Sequence, residues 1–253
     1  MKFNTSLKGQ KLVIIQSFQP HPEKSLLNIL FAAETAKDLG AKKVILAAPY
    51  LAFLRQDKMF NPGEAVTSKI MAKLLNHSID KIITIDPHLH RYKSLNEIFS
   101  IPTKRLTANG AIADYIRRNF KNPVIIGPDE ESYQWARKIA EKIKAEYTIF
   151  KKTRLSATEV KEKMVKEVTL KDKSVIIVDD MISTGNTIIK AAQKAKSSGA
   201  KNIAAIAVHG LFVEGISKLK KAGINRVITT NTIDNPTSKI DVASLIADGL
   251  KKL

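Results

Sequence analysis

Residues 175–188 read Val175-Ile-Ile-Val-Asp-Asp-Met-Ile-Ser-Thr-Gly-Asn-Thr-Ile188. An unbroken run of β-branched apolar residues delivers two adjacent carboxylates, then a hydroxyl- and glycine-rich turn, then the start of a helix. An apolar run without alternation reads as a strand covered on both faces, which is the mark of a parallel sheet. Strand, polar turn and helix in that order form one half of a βαβ unit. The turn also has chemistry. Ser183, Thr184, Gly185, Asn186 and Thr187 can wrap a phosphate with backbone N–H groups at a helix N-terminus, helped by their hydroxyls. Gly185 removes the Cβ that would block close backbone approach. Asp179 and Asp180 stand just before this cradle, placed to accept hydrogen bonds from sugar hydroxyls. An ordinary turn with a Ser or Thr N-cap would explain a lone Ser-Thr-Gly. It does not explain the two acids in front of it.

The same alternation runs through the rest of the chain. Further strands are expected at Leu12–Ile15, Val44–Ala48, Ile82–Ile85, Val124–Ile126, Ala204–Val208 and Val227–Thr229. Helical periodicity marks Ser25–Leu39 (closed by Gly40), Ala65–Leu75, Ser132–Ile143 and Asn186–Ser198. The fold class is therefore α/β, with two doubly wound parallel-sheet domains facing a common cleft. Strands in both halves end in polar, acidic or glycine-rich loops, where open α/β sheets place their ligands. The break is expected near Leu106–Asn109, after the loop-like Ser100-Ile-Pro-Thr103. This divides the chain into domains 1–106 and 107–236. Residues 237–253 end in an amphipathic helix, Asp241–Leu253, expected to pack back on the first domain.

Composition narrows the partners. The chain has 253 residues, of which 44% are hydrophobic, enough for sizeable cores. Lys+Arg is 42 against Asp+Glu 24, a formal net charge of +18. Such an excess suits a polyanionic partner, whether nucleic acid, anionic membrane or phosphorylated small molecule, or else a solvated Lys-rich surface. No helix-turn-helix, zinc or aromatic-basic RNA pattern is present, which argues against nucleic acid. No apolar run approaches the roughly 18 residues of a membrane span. Cysteine is absent, which excludes disulfides and thiolate chemistry. The opening MKFNTSLKGQ lacks the apolar core of a signal peptide, so a cytoplasmic location is expected.

The 175–188 segment resembles the ribose-5-phosphate loop shared by phosphoribosyltransferases and phosphoribosyl pyrophosphate synthetases. Four other segments, in the expected order, resemble the synthetase (ribose-phosphate pyrophosphokinase) family. Ala48-Pro-Tyr-Leu-Ala-Phe-Leu-Arg-Gln-Asp57 looks like its nucleotide segment, in which Arg55, Gln56 and Asp57 would bind ATP. Independently, an Arg on a loop after a strand is a natural bidentate partner for phosphate. Thr84-Ile-Asp-Pro-His-Leu-His90 resembles the segment whose histidine, here His88, lies beside ATP-bound magnesium. Gly127-Pro-Asp-Glu-Glu131 resembles the loop in which Asp129 would bind or orient a second Mg2+. Phe150-Lys-Lys-Thr-Arg-Leu155 resembles the catalytic loop, with Lys152 and Arg154 as its catalytic cations. Pro62–Ser68, His209-Gly210 and Thr230–Ile233 agree as well.

The resemblance implies a transferase of nucleotide biosynthesis that moves intact diphosphate from ATP to the anomeric hydroxyl of ribose 5-phosphate, with Mg2+ as cofactor. It also implies a homo-oligomer, a dimer or a hexamer. Three features depart from the family pattern. Relatives carry a leading β–α–β segment with an aromatic-x-Asp-Gly-Glu-like stretch, so this sequence reads as a short form. Phe60 stands where better-known members place an acid. Asn186 replaces the more usual glycine, a substitution compatible with a left-handed backbone because Asn tolerates it. Two alternatives share the scaffold. A non-catalytic regulatory or assembly relative would keep the sugar-phosphate site, whereas a phosphoribosyltransferase would leave Arg55-Gln56 and His88 without a task.

Overall fold

The computed structural model describes residues 2–154 and 160–251, with the side chains of 151–163 outside the description. The elements in chain order are β1 (Lys11–Ile15), α1 (Pro22–Asp38), β2 (Lys43–Ala48), α2 (Thr67–Ser78), β3 (Lys81–Ile85), β4 (Thr103–Leu106) and α3 (Asn109–Asn119). They continue with β5 (Val124–Gly127), α4 (Tyr133–Ile143), β6 (Glu146–Arg154), β7 (Val160–Met164), β8 (Ser174–Ile182), α5 (Asn186–Ser197) and β9 (Asn202–Gly210). The last are α6 (Ser217–Lys221), β10 (Arg226–Thr230), β11 (Ser238–Ile240) and α7 (Ala243–Lys251). Contacts divide the chain into two compact units, Met1–Thr107 with Ala243–Leu253, and Ala108–Val242. Both are parallel-sheet α/β units, the class read from the sequence.

In the first unit the strand order is β1-β2-β3-β4. Every pair is parallel, running for example Ala47↔Ile83 and Ile85↔Leu106. After their first residues β2 and β3 are wholly buried, as continuous apolar runs should be. The apolar run of β1 is a sheet edge instead, leaving Val13 37% and Ile15 62% exposed. The strand β4 was hidden from sequence reading because Thr103-Lys-Arg-Leu106 carries no apolar run; its pairing with β3 makes it a strand. Helix α1 starts on Pro22, whose missing N–H costs nothing in a first turn. Helix α7 lies against β4: Lys104 Nζ donates to the Gly249 carbonyl at 2.7 Å, and a Cβ on Gly249 would sit 3.0 Å from Leu106 Cδ1.

The second unit has a seven-stranded sheet ordered β11-β10-β9-β8-β5-β6-β7, with β7 antiparallel to β6. Its order reverses between β8 and β5. These neighbours stay in register from Val124↔Val175 to Ile126↔Ile177, with no pair beyond, while β8 stays paired to β9 as far as Ile182↔Gly210. A crevice at such a reversal is where this architecture binds ligands. Packing explains why the sheet holds here. Ile188, Ala191, Ala192 and Ala195 place a small-residue face of α5 against Val175, Ile177, Ala205 and Ala207. Burying each Ile or Val of this core contributes about 2 kcal/mol relative to exposure. Among the described residues no helix is long and apolar enough to cross a membrane.

Candidate active site

The crevice end of β8 carries Asp179 and Asp180, and Ile182 passes directly into Ser183, Thr184 and Gly185 before α5 begins at Asn186. Gly185 is the N-cap, with φ +78°. That left-handed backbone is what lets the strand turn into the helix while its N–H groups converge. A second constraint comes from packing: a Cβ on Gly185 would lie 2.8 Å from Leu219 Cδ2. Asn186, by contrast, is the first helical residue and takes no positive φ. Its tolerance of the left-handed region, expected from the sequence, is therefore not used; the neighbouring glycine supplies it.

Asp179 and Asp180 are both half-buried, and Asp180 N–H donates to Asp179 Oδ1 at 3.0 Å. Burial, and then the charges of Asp180, Asp129 and Glu131, push the Asp179 carboxyl well above the ordinary carboxylate range. Unfolded, this group ionises near about 4. Between that pH and the raised value the folded chain holds a proton that the unfolded chain has released. Its stabilising contribution is thus present in acid and lost as pH rises through the raised value. Asp179→Asn is expected to raise the thermal midpoint at pH 8 by about 2–4 °C and to flatten its pH dependence. Melting curves at pH 5 and 8 check this, and an unchanged pH 8 midpoint would contradict it.

Asp129 follows β5 in a loop closed by Ser132. Ser132 N–H donates to Asp129 Oδ1 at 3.1 Å, and Ser132 Oγ donates to the Asp129 carbonyl at 2.8 Å. Gly127 makes room for this turn, since a Cβ there would lie 2.6 Å from Ser132 Oγ. Next along the sheet, buried His209 lies with Nδ1 2.9 Å from Thr232 Oγ1. Lys152 and Arg154 fall on β6, in register with Glu162 and Val160 of β7. Their side chains lie outside the described residues, as do residues 155–159.

In the first unit, Arg55, Gln56 and Asp57 follow β2, and His88 follows β3, at the same C-terminal edge of the sheet. Arg55 is exposed, Gln56 half-buried and Asp57 buried. Two residues absent from the sequence reading join the loops. Arg91 Nη1 donates to Asp57 Oδ1 at 2.7 Å, and Tyr92 Oη donates to the Asp57 carbonyl at 3.0 Å. Asp57 Oδ2 is buried without a hydrogen-bond partner among the described residues. Glu64 folds the loop on itself, accepting the Phe60 and Asn61 N–H groups at 3.0 Å and Asn61 Nδ2 at 2.6 Å. These bonds, Asn61's first, hold the Glu64 carboxyl below its usual value. The Phe60 ring is 52% exposed, with Lys58 Nζ 5.1 Å and the Arg91 guanidinium 5.2 Å from its centroid. His88 is half-buried and stacks on His90, their centroids 6.3 Å apart. A cation and an aromatic directly after the His88–His90 run were the available signal for Arg91 and Tyr92.

The arrangement offers a helix N-terminus and two acids in one unit, and an arginine, a histidine and a buried carboxylate on the sheet edge of the other. Comparison with known proteins agrees in both units. The family model of the N-terminal domain of ribose phosphate pyrophosphokinase matches residues 1–78, and that of the phosphoribosyl transferase domain matches residues 94–246. The chain is 35% identical to a ribose-phosphate pyrophosphokinase of Methanobrevibacter smithii, over 95% of this chain and 84% of the relative. It is 38% identical to that of Methanothermobacter thermautotrophicus, over 95% and 84%. The crystal structure of phosphoribosylpyrophosphate synthetase from Mycobacterium smegmatis superposes with a TM-score of 0.85 at 26% identity, covering 99% of this chain and 84% of that one.

Proposed function

Because the chain belongs to the ribose-phosphate pyrophosphokinase family, an enzyme family, we propose that it makes phosphoribosyl pyrophosphate from ATP and ribose 5-phosphate. In this reading the anomeric oxygen of the sugar attacks the β-phosphorus of ATP. The bond from that phosphorus to the α-phosphate oxygen breaks, AMP leaves with the electron pair, and the hydroxyl proton passes to solvent. What carries the reading is the run from β8 into α5: two acids, a left-handed glycine and a helix N-terminus in unbroken succession. Ser183 to Thr187 hold the 5-phosphate with backbone N–H groups and hydroxyls. Asp179 and Asp180 accept hydrogen bonds from the sugar hydroxyls and so aim the anomeric oxygen. Arg55, Gln56 and Asp57 hold ATP. Lys152 and Arg154 stabilise charge on the migrating diphosphate.

Magnesium suits this donor set. Among the described residues no three His, Asp or Glu side chains form a metal cage. Mg2+ commonly takes only one or two protein carboxylates and completes its shell with water and substrate phosphate. Asp129 accepts from Ser132 with Oδ1; its carboxylate would hold one ion, and His88 would stand beside the nucleotide-bound one. When bound, the metal neutralises phosphate charge. A cation near Asp179 would also relieve the crowding of its acidic neighbours.

The test is direct. The purified chain, given ATP, ribose 5-phosphate and Mg2+, is expected to form AMP and phosphoribosyl pyrophosphate in equal amounts, and no AMP without the sugar. Chromatography follows both products. A folded sample that binds ribose 5-phosphate yet yields no AMP would overturn the catalytic reading in favour of a non-catalytic relative.

A further inference from the structure

Residues 211–219 run beside the phosphate cradle and touch it at successive steps. The Leu211 and Phe212 N–H groups both donate to the Ile182 carbonyl at 3.0 Å, and Val213 N–H donates to the Ser183 carbonyl at 3.1 Å. Leu219, buried, fills the space before Gly185. Its neighbour Lys218 donates from Nζ to Asn186 Oδ1 at 2.6 Å and to Glu214 Oε2 at 2.7 Å. Phe212 holds φ +48°. A bulky residue rarely adopts that conformation, and it persists where the surroundings impose it. The segment is therefore a strap laced to the cradle, which sets where Lys218 can reach.

A side-chain amide has an acceptor end and a donor end. With Oδ1 taken by the Lys218 ammonium, the two Asn186 N–H donors, which have no partner among the described residues, can serve a further one. They belong to the first residue of α5, where backbone N–H groups and the helix dipole already favour an anion. The Lys218 charge itself is offset by the Glu214 carboxylate at 2.7 Å, so its contribution is to orient the amide. As a bare surface pair, Lys218–Glu214 would be worth little; the shorter bond is the one to Asn186.

We infer that Lys218 is a positioning residue of the sugar-phosphate cradle, fixing the Asn186 amide so that this side chain donates to the 5-phosphate. The inference rests on the reading of Ser183–Thr187 as the ribose-5-phosphate site. At the position where the family pattern has glycine, this chain would bind phosphate with a side chain as well as with backbone.

Calorimetry on the full chain tests it, with ribose 5-phosphate and, separately, a non-hydrolysable ATP analogue. Lys218→Met is expected to weaken ribose 5-phosphate binding about tenfold, since a charge-assisted hydrogen bond orients the donor. Affinity for the ATP analogue stays as in the parent. Lys218→Arg keeps the charge and the donors and is expected to restore binding to within about threefold. Combining Lys218→Met with Asn186→Gly is expected to lose no more than the larger single loss, because both act through one amide. Parental affinity in Lys218→Met overturns the inference, as do fully additive losses in the double variant. A parent chain that fails to bind ribose 5-phosphate would overturn the cradle reading itself, and the inference with it.

Discussion

Replacing Lys152 and Arg154 together by alanine is expected to lower turnover by about a thousandfold or more while leaving ribose 5-phosphate affinity nearly unchanged. Diphosphate transfer asks little covalent chemistry of a protein. Its barrier yields to positioning and to cations placed where negative charge develops. The proposed roles separate cleanly along the chain. The residues proposed to hold sugar phosphate lie on β8 and the start of α5, and the two proposed catalytic cations lie on β6. Losing them removes stabilisation of the migrating diphosphate and leaves the cradle intact. The measurement is single-turnover AMP formation beside calorimetric titration with ribose 5-phosphate. Turnover within tenfold of the parent, or an equal loss of sugar affinity, would contradict the assignment.

Gly185→Ala is expected to destabilise the protein by about 2 kcal/mol and to weaken ribose 5-phosphate binding at least about tenfold. Part of the cost is conformational, because an L-residue at φ +78° is strained. The rest is steric, because the new methyl would meet Leu219 Cδ2 at 2.8 Å and Leu219 is buried. Relief requires moving either the strap or the helix start, and either movement scatters the converging N–H groups. Gly9→Ala isolates the conformational part. Gly9 has a similar φ of +72°, nothing within 4 Å of an added Cβ, and lies far from the cradle in sequence. It is expected to cost about 1 kcal/mol with no loss of sugar affinity. Denaturant unfolding and calorimetry on both variants check the pair. Equal stability costs would remove the steric argument, and parental sugar affinity in Gly185→Ala would remove the functional one.

Several elements show where local sequence stops being informative. The apolar runs of β2, β3, β5 and β8 announce themselves, since a strand covered on both faces must be apolar throughout. The strand β4 does not: Thr103-Lys-Arg-Leu106 is a strand because β3 offers it an edge to pair with. The edge strand β1 has an interior composition and half-exposed positions, a difference invisible until the strand order is known. Sequence alone points to Asn186 as the residue that tolerates a left-handed backbone, yet Gly185 takes that conformation. The side chain of Asn186 serves another bond.

The α/β class, the strand-to-helix turn of the proposed cradle, and the family are all legible in the chain alone. Each of these is written in consecutive residues, as apolar runs, turn chemistry or ordered motifs. Which side chains support the proposed sites follows from contacts between distant parts of the chain. Lys218 reaches Asn186 across 32 positions of sequence, and Arg91 reaches Asp57 across 34. No local pattern encodes such pairs. They exist because β9 and α6 return beside α5, and because parallel β2 and β3 bring their C-terminal loops to one edge, where opposite charges and matched donors meet at hydrogen-bond distance.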